Sequence, residues 1–491
     1  MLFRPRLLRH RSRKYQRPVL WTLLALFVLD AWRILRSRAP TIRSSLTADT
    51  SQGITSGTEI TKKPSVFIVS VHRNTEPILR SAWIENLVRL VDHLGRDNVY
   101  VSAVESGSQD DTKDALMELK AQLVARGVAH TIELGTTVWE QLDELYAWPD
   151  PDTPAAERPG WIWDSEEKHF ALRRIPYLAN VRNQAMAPLL AEAAKDSSGG
   201  GGGHGQGRRF DRVLWINDVA FDTQDVMTLL DTRGGHYAAA CAMDFKEYPL
   251  YYDTFALRDA DGDKAVSPRW PWFRSSEART DVRAGRPVRV QSCWNGMVAF
   301  DAQPFYDTTA NTNAHARGHT HANAGGGDTT HTPVPLRFRG VDDSLAEFHL
   351  EGSECCLIHA DNPQSRFADV PSSNARHRHK GADADADADA GKNIGVWLNP
   401  NVRVAYSLSV YKQVRTAVFP GRFAAVHGAW ANRLERARSH VQFALEGQTV
   451  LNRLRRWRAE TPPGAPLRNE PGAVCLINEM QIMWQNGWKH L

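Results

Sequence analysis

The run Val66-Phe-Ile-Val-Ser-Val71 constrains the fold more than any other stretch of this chain. A strand with one wet face alternates apolar and polar residues, so a nearly unbroken apolar run reads as a strand covered on both faces. The next segment has a helical period instead. Asn74 or Thr75 stands where a cap is wanted, Pro77 suits a first turn, Gly95 suits a stop, and Leu79, Trp83, Leu87, Leu90, Val91 and Leu94 form one stripe between them. The same reading predicts a strand over Asn98–Val104, a helix over Asp110–Ala125 ended by Gly127, and a strand over Val128–Leu134. Strands and helices alternating in this way join through right-handed crossovers into a sheet that is mostly parallel and flanked by helices, an α/β fold. Beyond a Pro/Trp-rich loop at Trp148–Trp163, a helix is predicted over Tyr177–Ala194. Further strands are predicted over Val213–Ile216, Tyr237–Met243 and Val288–Phe300, and a basic helix over Arg433–Arg458.

Three segments do not fit this pattern. Ser197–Gly207 holds five consecutive glycines, Asn311–Thr332 is rich in His, Gly and Thr, and Asn374–Ala390 ends in Ala-Asp repeats. None has the apolar content to bury a core, so each is expected to be a surface insertion within one domain spanning 65–491. Charge is also unevenly placed. The net charge is +4, yet residues 1–17 hold seven cations and no acid, which leaves −3 for the rest. A near-neutral body argues against a nucleic-acid binder. The basic tail precedes the apolar run Pro18–Leu29, and the two together are expected to form a cytoplasmic tail (1–17) and a retained signal-anchor (18–35). No small-residue cleavage site follows the run. Residues 36–64, rich in Ser, Thr, Arg and Lys, read as a flexible stem. The cysteines are five, an odd number without metal-site spacing, and most are expected to be buried thiols, with Cys355-Cys356 in a strand.

Three clusters carry chemistry. Glu105-Ser-Gly-Ser-Gln-Asp-Asp-Thr112 follows the second strand and opens a helix, at the end of the sheet where open α/β folds bind ligands. A carboxylate there can hold a ribose or base, and a Ser-Gly turn brings backbone close to a ligand. An ordinary turn capped by Asp110 would look the same; the neighbouring Ser70-Val-His-Arg-Asn74 favours nucleotide binding. The candidates are Ser70, Arg73, Asn74, Glu105, Ser106, Gly107, Ser108 and Asp111. In the second cluster, Val213-Leu-Trp-Ile-Asn-Asp-Val219, a buried strand delivers Asn217 and Asp218 to the sheet edge. A hard divalent cation on Asp218 would neutralise a departing diphosphate. The usual Asp-x-Asp is absent, Asn217 offers only a carbonyl oxygen, and Asp222 is placed to compensate. The third cluster, Val341–Asp361, gathers acids with His349 and His359. His359 is a candidate second metal ligand, and Glu351 or Glu354 is a candidate for contact with an acceptor hydroxyl or developing positive charge. Asp244 and Trp294-Asn-Gly296 are candidates to line the acceptor pocket.

In order along residues 65–410, Val69-Ser-Val-His-Arg-Asn74, Glu105-Ser-Gly-Ser108, Leu178-Ala-Asn-Val-Arg-Asn183, Trp215-Ile-Asn-Asp-Val219, Cys293-Trp-Asn-Gly296 and Ser353-Glu-Cys-Cys-Leu-Ile-His359 resemble the fungal family of capsule-associated proteins and cryptococcal α-1,3-mannosyltransferases. The resemblance implies a GT-A-like fold, a GDP-mannose donor, a Mn²⁺ or Mg²⁺ ion, an oligosaccharide or polysaccharide acceptor and a type II Golgi anchor with the catalytic domain luminal. It adds Arg182 to the donor-site candidates. A non-catalytic factor in capsule or cell-wall polysaccharide assembly is the alternative from another class. A glycosidase, which needs two opposed carboxylates and no nucleotide, fits the turn after the second strand poorly.

Overall fold

The computed structural model describes residues 8–37, 63–195, 208–306, 335–365, 394–485 and 487–491. Residues 1–7, most of the predicted stem and all three predicted insertions lie outside them. The strands are β1 (Val66–His72), β2 (Val99–Glu105), β3 (Ala129–Leu134), β4 (Trp161–Asp164), β5 (His169–Leu172), β6 (Arg212–Ile216), β7 (Ala239–Glu247) and β8 (Leu250–Tyr251). They continue with β9 (Arg258–Asp259), β10 (Val288–Ser292), β11 (Met297–Asp301), β12 (Glu351–Gly352), β13 (Val396–Ala405), β14 (Leu476–Ile477), β15 (Gln481–Trp484) and β16 (Gly487–His490).

A ten-stranded sheet in the order β3-β2-β1-β6-β11-β7-β13-β10-β9, with β8 on β7, forms the centre. The β1–β2, β2–β3, β1–β6 and β7–β13 ladders are parallel and carry most of the paired positions. β11 enters antiparallel between β6 and β7, so those two strands point the same way. As a result β1, β2, β3, β6, β7 and β13 all end at one edge. The predicted strand Val288–Phe300 is two strands, interrupted at Cys293–Gly296.

Both faces of the sheet are buried, as the unbroken apolar run requires. Phe67, Val69, Val213 and Trp215 pack on one face with the helix Arg174–Ala194, while Val66, Ile68, Leu214 and Ile216 pack on the other with Ile84–Leu94, Thr112–Ala125 and Thr223–Leu230. The first helix ends at Gly95 as its pattern predicts. It begins with a π-helical turn at Leu79–Trp83, a register defect common at functional sites. A third cluster joins Leu345, Leu357, Leu454, Trp457 and Leu476, tying the C-terminal segment to the domain.

Three expectations are corrected. Residues Leu8–Arg36 are helical, but among the described residues no helix is long and apolar enough to cross a membrane. The apolar stretch of 12 residues at 18–29 covers ~18 Å along a helix, short of the ~30 Å hydrocarbon core. Charge begins at both ends of it. Asp30 pairs with Arg433 at 3.0 Å and Phe27 lies 5.4 Å from Trp430, so this helix rests on the helix Arg422–Ala459. The cysteines are mostly bonded, Cys241 to Cys293 and Cys356 to Cys475, leaving Cys355 free and buried. Cys355 and Cys356 lie in a helix, Glu354–Asp361, because Ser353 caps it by accepting from the Cys355 N–H at 3.2 Å.

Candidate active site

The ends of β1 and β2 carry the first cluster, and the structure fastens their turns to each other. The Asn74 N–H donates to Ser108 Oγ at 3.1 Å, and Asn74 Oδ1 accepts from the Gln109 N–H at 2.7 Å. Asn74 manages this with φ +53°, a left-handed conformation that Asn tolerates better than most residues. Gly107, at φ +68°, sits where a Cβ would meet Gln141 Oε1 at 2.5 Å, so only glycine fits the turn. Glu105 is fully buried. Its Oε1 accepts from the Ser108 N–H at 2.5 Å and closes the turn, while its Oε2 lies 3.4 Å from Lys113 Nζ and is buried without a hydrogen-bond partner. Ser70 is also buried, 2.9 Å from His72 Nε2, while Thr75 Oγ1 lies 3.2 Å from His72 Nδ1. Burial pushes His72 down to about 3, so it stays neutral and serves this internal chain. Ser106 Oγ lies 2.9 Å from the Tyr177 hydroxyl. Asp111 is exposed at the N-cap of Thr112–Ala125 and makes no cap bond; Asp110 accepts from the Glu76 and Thr112 N–H groups instead.

Arg73 stands apart from its neighbours. Its Nε and one terminal nitrogen are buried without a hydrogen-bond partner, at the sheet edge where the turns meet. A buried unsatisfied guanidinium is costly unless an anion completes it.

Trp83, from the π-helical turn, donates to the Asn217 carbonyl at 2.9 Å and so links this corner to the end of β6. Asn217 N–H donates to the Gly296 carbonyl at 2.9 Å, and Asn217 Oδ1 accepts from Trp294 Nε1 at 3.2 Å. Asn217 therefore orients Trp294, with one amide-oxygen lone pair left over. Asp218 is half-buried. Burial raises its carboxyl, its own backbone N–H and the Lys246 charge oppose that rise, and among the described residues nothing else pairs with it. Asp222 does not compensate for the missing second acid. It caps Thr223–Leu230 by accepting from Asp225 N–H at 2.9 Å and pairs with Arg415 at 2.5 Å.

Next to Asp218 the chain bridges Ala220 to Ala405, which brings Tyr406 alongside. The Tyr406 hydroxyl donates to Asp244 Oδ2 at 2.9 Å, and the Asp253 N–H donates to Asp244 Oδ1 at 3.0 Å. Asp244 is wholly buried, and burial, with Asp253 adding to it, pushes its carboxyl up to about 8. It positions Tyr406 and Asp253 and has no surface for an acceptor, contrary to the expected catalytic role. Asp253 is half-buried; it too is raised by burial, and Glu354 adds to the shift. Its Oδ1 accepts from the Phe255 N–H at 3.1 Å, and its carbonyl accepts from Asn295 Nδ2 at 2.7 Å. Gly296, at φ +75°, lets three elements meet: a Cβ there would lie 2.9 Å from Val404, 3.0 Å from Asp244 and 3.2 Å from Val219.

The third cluster divides. Glu351 is fully buried and bound by Arg173 at 2.9 and 3.0 Å, while Arg173 also reaches Asp343 at 2.6 Å. It is a buried structural pair, not an acceptor contact. Glu354 Oε1 accepts from Arg182 Nε at 3.0 Å, and the Arg182 guanidinium lies 4.4 Å from the centre of the Trp294 ring. This places Arg182 with the acids and Trp294, not with the turns of β1 and β2. His359 is fully buried, its Nε2 2.7 Å from the Cys293 carbonyl and its ring stacked 5.4 Å from Phe300. Among the described residues the one cluster with metal-ligand reach is Cys241, Cys293 and His359, and both sulfurs are spent in a disulfide. His359 therefore supports the turn carrying Trp294 and does not complete a site with Asp218. Sequence reasoning missed Asp253, Tyr252, Tyr406 and Lys246, which lie on loops or strand ends with no motif to mark them.

The donor set fits a hard divalent cation held sparsely. Asp218 offers a carboxylate and Asn217 a spare lone pair, and Mg²⁺-type sites take one or two protein oxygens plus phosphate oxygens. The profile of the family described as cryptococcal mannosyltransferase 1 matches residues 65–361. No curated protein matches the chain significantly. Among solved structures, the chain is similar to the mannosyltransferase PcManGT from Pyrobaculum calidifontis in complex with GDP-Man and Mn²⁺, at 11% identity, TM-score 0.31, covering 85% of this chain and 84% of that one. It is also similar to the mannosyltransferase Ktr4p from S. cerevisiae in complex with GDP, at 14% identity, TM-score 0.20, covering 56% and 72%. A third is core-mannan synthase A from Aspergillus fumigatus in its Mn/GDP form, at 12% identity, TM-score 0.22, covering 54% and 69%. At these TM-scores no site residue is carried over from them.

Proposed function

The chain belongs to the cryptococcal mannosyltransferase 1 family, and from that premise we propose that it transfers mannose from GDP-mannose to a glycan acceptor with the help of Mn²⁺ or Mg²⁺, forming an α-1,3 linkage. The observation that carries this reading is Asp218, a carboxylate without a protein cation in contact, delivered by a buried strand to the edge where six strands end. A divalent ion on Asp218 and Asn217 would offset the charge that gathers on GDP as it departs. Arg73, with two unsatisfied nitrogens at the same edge, supplies a fixed positive charge for the donor. An α-linked product from GDP-α-mannose retains configuration, so no base opposite the leaving group is required. Of the carboxylates around Asp218, Asp253 keeps access to solvent, and the half-exposed Tyr252 ring beside it offers a face to a sugar. Asp253 and Tyr252 are the acceptor contacts in this reading.

The two disulfides suit an oxidising compartment, which favours the lumen of the secretory pathway, Golgi included, as the working site.

The test is transfer by the purified full chain from a panel of nucleotide sugars, with Mn²⁺, with Mg²⁺ and with EDTA. GDP-mannose is the expected donor. Asp218→Asn, nearly isosteric, is expected to lower transfer ~10²–10³-fold with melting unchanged, the loss typical of a displaced electrostatic stabiliser. Full activity of that variant in EDTA would end the metal reading. A wild type inert with every nucleotide sugar would favour the assembly-factor role.

A further inference from the structure

Away from the acidic centre, a cavity of about 540 Å³ opens between the loop after the helix Val138–Tyr146, the turn joining β4 to β5, and the end of β15. Tyr146, Trp148, His169 and Trp484 line it, with Asp150 and Glu167 among its polar groups. Trp148 stacks on His169 at 3.9 Å with the rings 2° from parallel, and Tyr146 stands edge-on to Trp148 at 6.0 Å. His169 covers one face of the indole, yet Trp148 is 45% exposed and Tyr146 51%. Their exposed area therefore lies on the open side of this corner.

We propose that this cavity is a second carbohydrate site, binding a mannose-containing stretch of the acceptor glycan remote from the sugar being extended. A hexose presents an apolar C–H face to an aromatic ring while its hydroxyls donate to carboxylates, the combination assembled here. Glu167 is half exposed, with its Lys489 contact at a loose 3.9 Å, so its oxygens remain open to hydroxyl donors. The two lining carboxylates, Asp150 and Glu167, outnumber the one lining lysine, Lys168, which disfavours an anionic lipid or phosphate. The volume lies within the range of small-ligand sites. No lining residue belongs to the group around Asp218, so occupancy would act by tethering a long acceptor and raising its effective concentration at the transfer site.

The inference rests on the acceptor being a glycan, as proposed above, but its test needs no transfer. Titration of the full chain with α-1,3-linked mannopentaose, without donor, reads binding directly through tryptophan fluorescence and calorimetry. Wild type is expected to bind the pentaose, with mannose a poor competitor, and Trp148→Ala and Tyr146→Ala are each expected to weaken binding tenfold or more. Both side chains are exposed, so the variants keep the wild-type melting temperature. Where transfer is measurable, Trp148→Ala is expected to raise KM for the pentaose tenfold while leaving KM for GDP-mannose unchanged. Absence of binding to wild type, or wild-type affinity in both variants, overturns the proposal. Binding that depends on Trp148 in a protein that transfers nothing would keep the cavity and remove the transferase reading.

Discussion

The two halves of the site are built differently. On the side of β1 and β2, two turns adjacent to parallel strands hold each other through Asn74, which bonds Ser108 and Gln109, and Glu105 closes its own turn on Ser108. On the side of β7, β11 and β13, the acids come from segments far apart in sequence: Asp218, Asp244, Asp253 and Glu354, held by Tyr406, Asn295 and Arg182 and underpinned by the Cys241–Cys293 bond. The first half is local and, Arg73 apart, spends most of its polar side chains on its own shape. The second is long-range and depends on supports outside the site. The lesson is that a motif residue can spend a carboxylate oxygen on the turn itself, as Glu105 does. A residue with no motif, Asp253, is the one of Asp244, Asp253 and Glu354 that keeps access to solvent, and the proposed reading gives it the acceptor.

The largest effect that would break this contrast lies in the supports of the second half. Glu351→Gln leaves the Arg173 charge buried without its bidentate partner, and the expected loss is about 3–5 kcal/mol in denaturant unfolding. A loss under ~1 kcal/mol would show that the long-range half does not need its buried pairs. Next, Cys241→Ser with Cys293→Ser is expected to cost about 2–4 kcal/mol and to lower kcat, because the bond ties the strand carrying Asp244 to the turn carrying Trp294. Unchanged kcat would detach that turn from catalysis.

The local half is sharpened by a smaller change. Arg73→Met is expected to raise KM for GDP-mannose about tenfold, roughly 1.4 kcal/mol, with kcat and melting retained. A drop in kcat at constant KM would instead move Arg73 into the transition state. The smallest effect concerns pH. Burial pushes the Asp244 carboxyl up to about 8 in the folded chain, against about 3.9 for a free aspartate, so between those values the folded state holds a proton that the unfolded state has released. Its contribution to stability therefore falls as pH rises through that window. Asp244→Asn, which cannot ionise, is expected to flatten part of that fall and raise Tm by about 2 °C at pH 8, with no change at pH 4. Parallel melting curves for the two proteins from pH 4 to 8 would show that Asp244 does not titrate there.

What the sequence alone determined is what repeats or acts locally. The unbroken run at Val66–Val71 implied a strand covered on both faces, the 3.6-residue stripe ending at Gly95 implied the helix beside it, and the apolar strand before Asn217-Asp218 implied a carboxylate at the sheet edge. Each depends on side-chain period or on a turn of a few residues, and those preferences are set within the segment itself. Only the tertiary structure decided which cysteines bond, that Ser353 caps a helix through Cys355-Cys356, and that His359 faces Cys293 and not a metal. It also decided that Glu351 belongs to Arg173 at a separation of 178 residues. The same carboxylate is a catalyst beside solvent and a strut beside a buried guanidinium, and the choice depends on the partner's position in space, which no periodicity in the chain encodes.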